Sequence, residues 1–264
     1  MLAFRSMLEG PAAHPTHHKY LIVVIGHSHI RPLQRAAVAR EQSDGRFEFV
    51  PLVGKSWGAL VTHKGRANWV LTPQFASYLE DFSTSETPVR YALTIGGNHH
   101  SILGLTNHPE PFCFMNPWKP VEAEGKRVLP FYLMKTLMCS QMGVNLRCLA
   151  ALAERIAHPT VFLPVPPPAS SSKKMLELPS RIYRKAMNEH GVAPSSHRYA
   201  MWRLQAEIQQ EMCNELGIEY LAHPPGTLDP DGFLGEEFLG DPTHGNDKYG
   251  ERVLRQLEQH FGTP

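Results

Sequence analysis

The stretch that most constrains this chain is Tyr20-Leu-Ile-Val-Val-Ile25, followed at once by Gly26-His27-Ser28. The run is short, uninterrupted and β-branched, which is the pattern of a strand buried on both faces. Such a strand needs partner strands on its edges and helices over both faces. Four further segments have matching character: 47–53, 89–95, 160–165 and 218–221. Helical patterning fills the intervals over 32–40, 72–82, 131–157, 197–216 and 246–261. Pro32 suits a first helical turn, and Gly217 suits the residue just past a helix end. In the long 131–157 segment, Leu133, Leu137, Val144, Cys148, Ala151 and Ile156 are expected on one face. Strands alternating with helices predict an α/β fold with a parallel, roughly five-stranded sheet covered on both sides.

Length and composition limit what else is open. The 264 residues suit one large domain, and 42% hydrophobic content is enough to build a core. Residues 1–19 read as a mobile N-terminal arm, and 20–264 as a single domain with a loop insertion at about 99–130, serving as a pocket wall or lid. Twenty-six basic residues against 25 acidic ones leave no basic excess, so nucleic acid is not an expected partner. No apolar run approaches the roughly 18 residues that suggest a membrane span. No secretory signal is visible, so a cytoplasmic setting is expected. The four cysteines show no CxxC spacing, and Cys139 and Cys148 fall nine residues apart in one predicted helix, too far for a disulfide.

Ligands of open α/β sheets gather at the carboxyl ends of the strands. Three short motifs fall there. Ser28 sits in a Gly-His-Ser turn after the first strand, where a hydroxyl entering a helix can be exposed as a nucleophile. Gly54 follows the second strand, where a bare backbone can offer its amide to a substrate. Asn98 follows the third strand in Gly96-Gly97-Asn98, and its side-chain amide can donate to an oxyanion. A fourth motif, Asp241-Pro242-Thr243-His244, precedes the last helix. There a carboxylate can hold the imidazole so that Nε2 is left as a general base. Each motif alone is equally an ordinary turn or helix cap, and only their ordered occurrence points to chemistry.

The ordered set resembles the SGNH hydrolase superfamily, also called GDSL-type esterases and lipases. Gly26-His27-Ser28 is similar to its serine block, and Gly54 with Ser56 to its glycine block. Gly96-Gly97-Asn98 is similar to its asparagine block and Asp241-Pro242-Thr243-His244 to its terminal block. The resemblance implies a three-layer α/β/α sandwich of flavodoxin-like kind. It also implies Ser28 as nucleophile, His244 as base, Asp241 as its orienting acid, and Ser28, Gly54 and Asn98 as oxyanion donors. The implied activity is hydrolysis of short-chain acyl esters, O-acetyl groups on carbohydrate among them, without a cofactor or metal. The substrate would be a small-molecule or carbohydrate ester. Acyl transfer through the same acyl-enzyme, or a catalytically silent ligand-binding protein of the same fold, are the alternatives. The family usually carries Asp at the positions of His27 and His99; both are His here.

The chain has 15 histidines. His27, His29, His99 and His100 fall on the first and third strand ends, where imidazoles can converge on zinc. No acidic residue accompanies them in those loops, and the spacing matches no zinc signature, so no metal is expected. They read instead as pocket residues whose titrations overlap near neutral pH. Phe112, Phe114 and Trp118 read either as a pocket for an acyl chain or sugar or as a satellite core under a long loop. The basic stretch of Lys173, Lys174, Arg181, Arg184 and Lys185 reads as a solvated helix face, with recognition of an anionic substrate as the alternative.

Overall fold

A computed structural model describes residues 20–40, 47–52, 61–64, 68–118, 121, 123–156, 159–179 and 183–262. Two expectations, the mobile arm at 1–19 and the amide of Gly54 with its neighbour Ser56, lie outside the described residues, as does Arg181 of the basic stretch.

The chain runs β1 (Leu21–Gly26), α1 (Ile30–Ala39), β2 (Phe47–Pro51), β3 (Val61–Lys64), β4 (Asn68–Leu71), α2 (Pro73–Ser83), β5 (Val89–Thr94) and α3 (His99–Gly104). It continues through β6 (Phe112–Phe114), β7 (Arg127–Leu129), α4 (Phe131–Arg155), β8 (Thr160–Phe162), α5 (Ser172–Glu177), α6 (Arg184–His190), α7 (Ser195–Leu216), β9 (Glu219–Tyr220) and α8 (Asp247–Gly262). Strands β2-β1-β5-β8-β9 form a five-stranded sheet, and every pairing in it is parallel. Numbered among themselves, these five strands have the order 2-1-3-4-5 of a doubly wound fold. The direction of winding reverses between β1 and β5, so the crevice opens beyond their carboxyl ends, where Ser28 and Asn98 follow.

The two faces of β1 follow from the period-2 alternation of a strand. Ile22 and Val24 pack into a core with Leu33 of α1 and Leu254 and Leu257 of α8. Leu21, Val23 and Ile25 pack into a second core with Phe75 and Leu79 of α2 and Leu149 and Leu152 of α4. All six β1 residues are buried, as the continuous apolar run requires. Helices therefore cover both faces, giving the α/β/α sandwich. Gly26 is required by close approach, because a Cβ there would fall 2.2 Å from Thr94 Cγ2 on the adjacent strand.

Several features depart from expectation. The antiparallel hairpin β3–β4 has no counterpart among the elements expected from sequence, nor do α5 and α6, and the stretch 99–130, expected as an irregular loop, carries α3, β6 and β7. In the first half of α4 the buried face is Met134, Met138 and Met142, while Leu133, Leu137 and Val144 are exposed. Both sets repeat every three or four residues, so periodicity cannot choose between them. The choice is made by α7, whose Met201, Leu204 and Ile208 pack against the methionines. The thioether side chains fill that contact readily.

The segment 99–130 carries α3 and the short parallel pair β6–β7. Its Phe114 joins the methionine cluster of α4 and α7. In the basic stretch, Lys185 and Arg184 are tied down locally: Lys185 pairs with Glu189 at 3.8 Å, and Arg184 donates to the carbonyls of Leu176 and Leu178.

Candidate active site

The tight turn between β1 and α1 is closed by backbone bonds from Ile30 to His27 and from Arg31 to Ser28. That places Ser28 at the entry of α1. Its Oγ–H donates to His244 Nε2 at 2.7 Å. On the far side of the ring, His244 Nδ1–H donates to Asp241, 2.9 Å from Oδ1 and 2.8 Å from Oδ2. Ser28, His244 and Asp241 therefore form one continuous chain of hydrogen bonds, with the geometry of a nucleophile, its base and the base's orienting acid.

The terminal turn holds itself. Asp241 Oδ1 accepts from the backbone amides of Thr243 at 2.8 Å and His244 at 2.9 Å, and from the Thr243 hydroxyl at 3.0 Å. Burial alone would push the Asp241 carboxyl up. The hydrogen bond and charge of His244 and the bonds from Thr243 outweigh it, and the carboxyl sits below its ordinary value. Two residues on, Asn246 Oδ1 accepts from the amides of Lys248 and Tyr249 and so caps α8. Arg40 of α1, bonded to Glu251 at 2.7 Å and Glu258 at 3.0 Å, ties α8 beside the helix that follows Ser28.

The asparagine block is held from a distance. Gln205 of α7 accepts from the His100 amide at 2.8 Å and donates to the Gly97 carbonyl at 2.9 Å. One turn along, Gln209 donates to the Ile95 carbonyl at 3.2 Å. Gly96 has φ +148°, and a Cβ there would meet Gln209 Nε2 at 2.1 Å, so both backbone and space demand glycine. The loop delivers Asn98 beside His244: its Nδ2 is 3.5 Å from His244 Nε2, and its Oδ1 is 2.7 Å from His29 Nε2. Gln205 and Gln209 are functional supports that the sequence does not reveal. Their i, i+4 spacing on a helix whose polar and apolar residues are mixed offers no sign that they face a loop more than 100 residues earlier.

Of the four strand-end histidines, His29 and His100 lie near His244, while His27 lies near His99. The rings of His29 and His244 lie 4.5 Å apart at 37°. His100, 2% exposed, bonds Gln205 Oε1 through Nδ1 at 3.1 Å. His99 Nε2 accepts from Asn145 of α4 at 2.7 Å. The expectation that these rings titrate near neutrality is corrected. Burial is the leading cause of a downward shift in all four. Neighbouring imidazoles add to it at His27, His29 and His100, and His100 falls to about 4. Desolvation disfavours the charged form, and four crowded rings disfavour it again. They are neutral polar groups at physiological pH.

Phe112, Phe114 and Trp118 make their ring contacts elsewhere. Phe112 meets His197 edge-on at 5.1 Å, and Phe114 and Trp118 both meet Phe131, at 6.4 and 5.7 Å. They pack in the satellite core, and Phe114 and Trp118 also wall a small cavity of about 40 Å³ with Lys126 and Tyr199, so both readings open to them find support in the structure.

Cysteine chemistry does not compete for the site. All four cysteines are free, and burial pushes the Cys148 and Cys213 thiols up to about 12. Among the described residues no group of three or more His, Cys, Asp or Glu is arranged to hold a metal ion. Among them, too, no helix is long and apolar enough to cross a membrane.

No protein-family model and no curated protein matches the chain. Solved structures similar to it include a GDSL-like lipase from Bacteroides thetaiotaomicron, 12% identical, with 99% of this chain and 95% of that chain covered and a TM-score of 0.49. A candidate acylhydrolase from Bacteroides fragilis is 10% identical, with 96% and 92% covered and a TM-score of 0.47. These neighbours are described as lipases and acylhydrolases, the kind of protein that the four sequence blocks resemble.

Proposed function

We propose that this chain is a serine esterase of the SGNH type, acting on short-chain acyl esters, with O-acetyl groups on carbohydrate a fitting subclass. The observation that carries the reading is the unbroken Ser28–His244–Asp241 hydrogen-bond chain with the Asn98 amide beside it. Ser28 Oγ attacks the ester carbonyl while His244 Nε2 takes its proton. The carbonyl oxygen becomes an oxyanion facing the Asn98 amide, with the amides of Ser28 and Gly54 as further donors. Collapse expels the alcohol, which receives the proton from His244, and leaves an acyl group on Ser28. His244 then takes a proton from water, which attacks the acyl carbon. The acid is released and Ser28 regains its proton.

The replacement of the family's usual acids by His27 and His99 leaves the bond-making residues untouched. Ser28→Ala should abolish turnover of aryl acetates and labelling by a fluorophosphonate. Hydrolysis persisting in the purified variant would overturn the assignment.

A further inference from the structure

We propose that His29 is a positioning residue for the oxyanion donor, its Nε2–H holding Asn98 Oδ1 so that the amide NH2 turns toward His244 Nε2, the atom that also meets Ser28 Oγ. This rests on the esterase reading. A primary amide has two ends of nearly the same shape, and only the nitrogen end can stabilise an oxyanion. Turned over, Asn98 would present a carbonyl oxygen to the developing negative charge. The backbone places the residue but does not choose between the two orientations. The choice falls to whatever meets the other end, and at 2.7 Å that is His29 Nε2. A deprotonated Nε2 would attract the NH2 and select the wrong orientation, so the hydrogen must sit on Nε2.

Three observations support the assignment. His29 occupies the N-cap position of α1 yet makes no capping bond with its side chain, which is committed to Asn98 instead. The residue is 6% exposed, so water does not compete for the contact. The charged and titratable groups facing it are His244 and Asp241 from the turn before α8 and His100 from α3. Burial, reinforced by His244, holds its pKa well below the ordinary value, which keeps the ring neutral. Neutrality matters, because the His29 ring lies 4.5 Å from the ring that becomes an imidazolium during attack. A cation at His29 would oppose that step, whereas a neutral N–H donor does not.

The test uses the full chain. Gln Nε2 lies as many bonds from Cα as His Nε2, whereas Asn Nδ2 is one bond short. His29→Asn should lower kcat on an aryl acetate roughly 10- to 100-fold while KM stays within about twofold, and His29→Gln should recover most of the loss. In an Asn98→Ala background, His29→Asn should cost nothing more, since there is no amide left to orient. Independently of turnover, ring-nitrogen NMR of the unmutated protein should show His29 neutral with its hydrogen on Nε2 at neutral pH, and that signal should move in Asn98→Ala. Full kcat in His29→Asn, losses that add with Asn98→Ala, or a hydrogen on Nδ1 would each overturn the proposal. Turnover surviving Ser28→Ala would instead defeat the esterase reading, and the NMR would still decide the contact.

Discussion

The two halves of the site are built by opposite means. The turn from Asp241 to His244 closes on itself, and every bond that Asp241 accepts comes from within three residues. The loop from Ile95 to His100 has no such economy. Its carbonyls and amide are met by Gln205 and Gln209, 105 to 114 residues away. His244 is therefore set by local covalent geometry, and Asn98 by the docking of α7. A self-contained turn tolerates changes elsewhere, whereas a loop held by a remote helix inherits that helix's errors.

Breaking the local half should have the largest effect. Asp241→Asn retains the shape of the side chain but favours the wrong tautomer of His244, and kcat should fall on the order of 10⁴-fold with little change in KM. Steady-state kinetics on aryl acetates measures it.

The halves should also separate by pH. His100 is held neutral and falls to about 4 when folded, against 6.5 in the unfolded chain. The unfolded chain binds the extra proton between those values, so stability is full above 6.5 and is lost as pH falls toward 4, on the order of 3 kcal/mol by pH 4. Asp241 is shifted below 3.8, so its contribution is present above that value and is lost only at lower pH. Denaturant unfolding of the wild type should show the earlier decline. His29 and His223, also held down by burial, add to it, so His100→Gln should make the slope between pH 6.5 and 4 shallower by up to about one proton without removing it. An unchanged slope in that variant would mean that His100 is not one of its sources.

Cutting the remote tie comes next. Gln205→Leu leaves the His100 amide and Gly97 carbonyl unpaired in a buried setting, and should cost about 1–3 kcal/mol in unfolding free energy. Because Asn98 loses its platform, kcat should drop as well, while the Asp241–His244 turn remains intact. A control on the same side of the molecule sets the scale. Lys135 pairs with Glu211 at 2.6 Å and Glu207 at 3.3 Å near the surface. Lys135→Ala should change stability by less than about 1 kcal/mol and leave kcat alone.

The same contrast between local and remote support decides how much of the fold and of the site is legible in the sequence. The five sheet strands and the triad residues can be read because each depends on neighbours along the chain: a β-branched run, a turn of three residues, an Asn-capped helix. The Gln205–Gly97 contact cannot, because nothing local distinguishes a glutamine that faces a loop from one that faces water. The burial of Met134 rather than Leu133 is hidden for the same reason: the arbiter is α7, not α4. The neutrality of the histidines is equally hidden, because composition counts rings and says nothing of their crowding.

The hydrogen bond between Ser28 and His244 spans 216 positions of the chain. On the proposed reading Ser28 has its base only when the two ends of that span meet, so in an unfolded chain the serine is an ordinary alcohol. Esterase activity and the native docking of α8 beside α1 should therefore be lost together on unfolding.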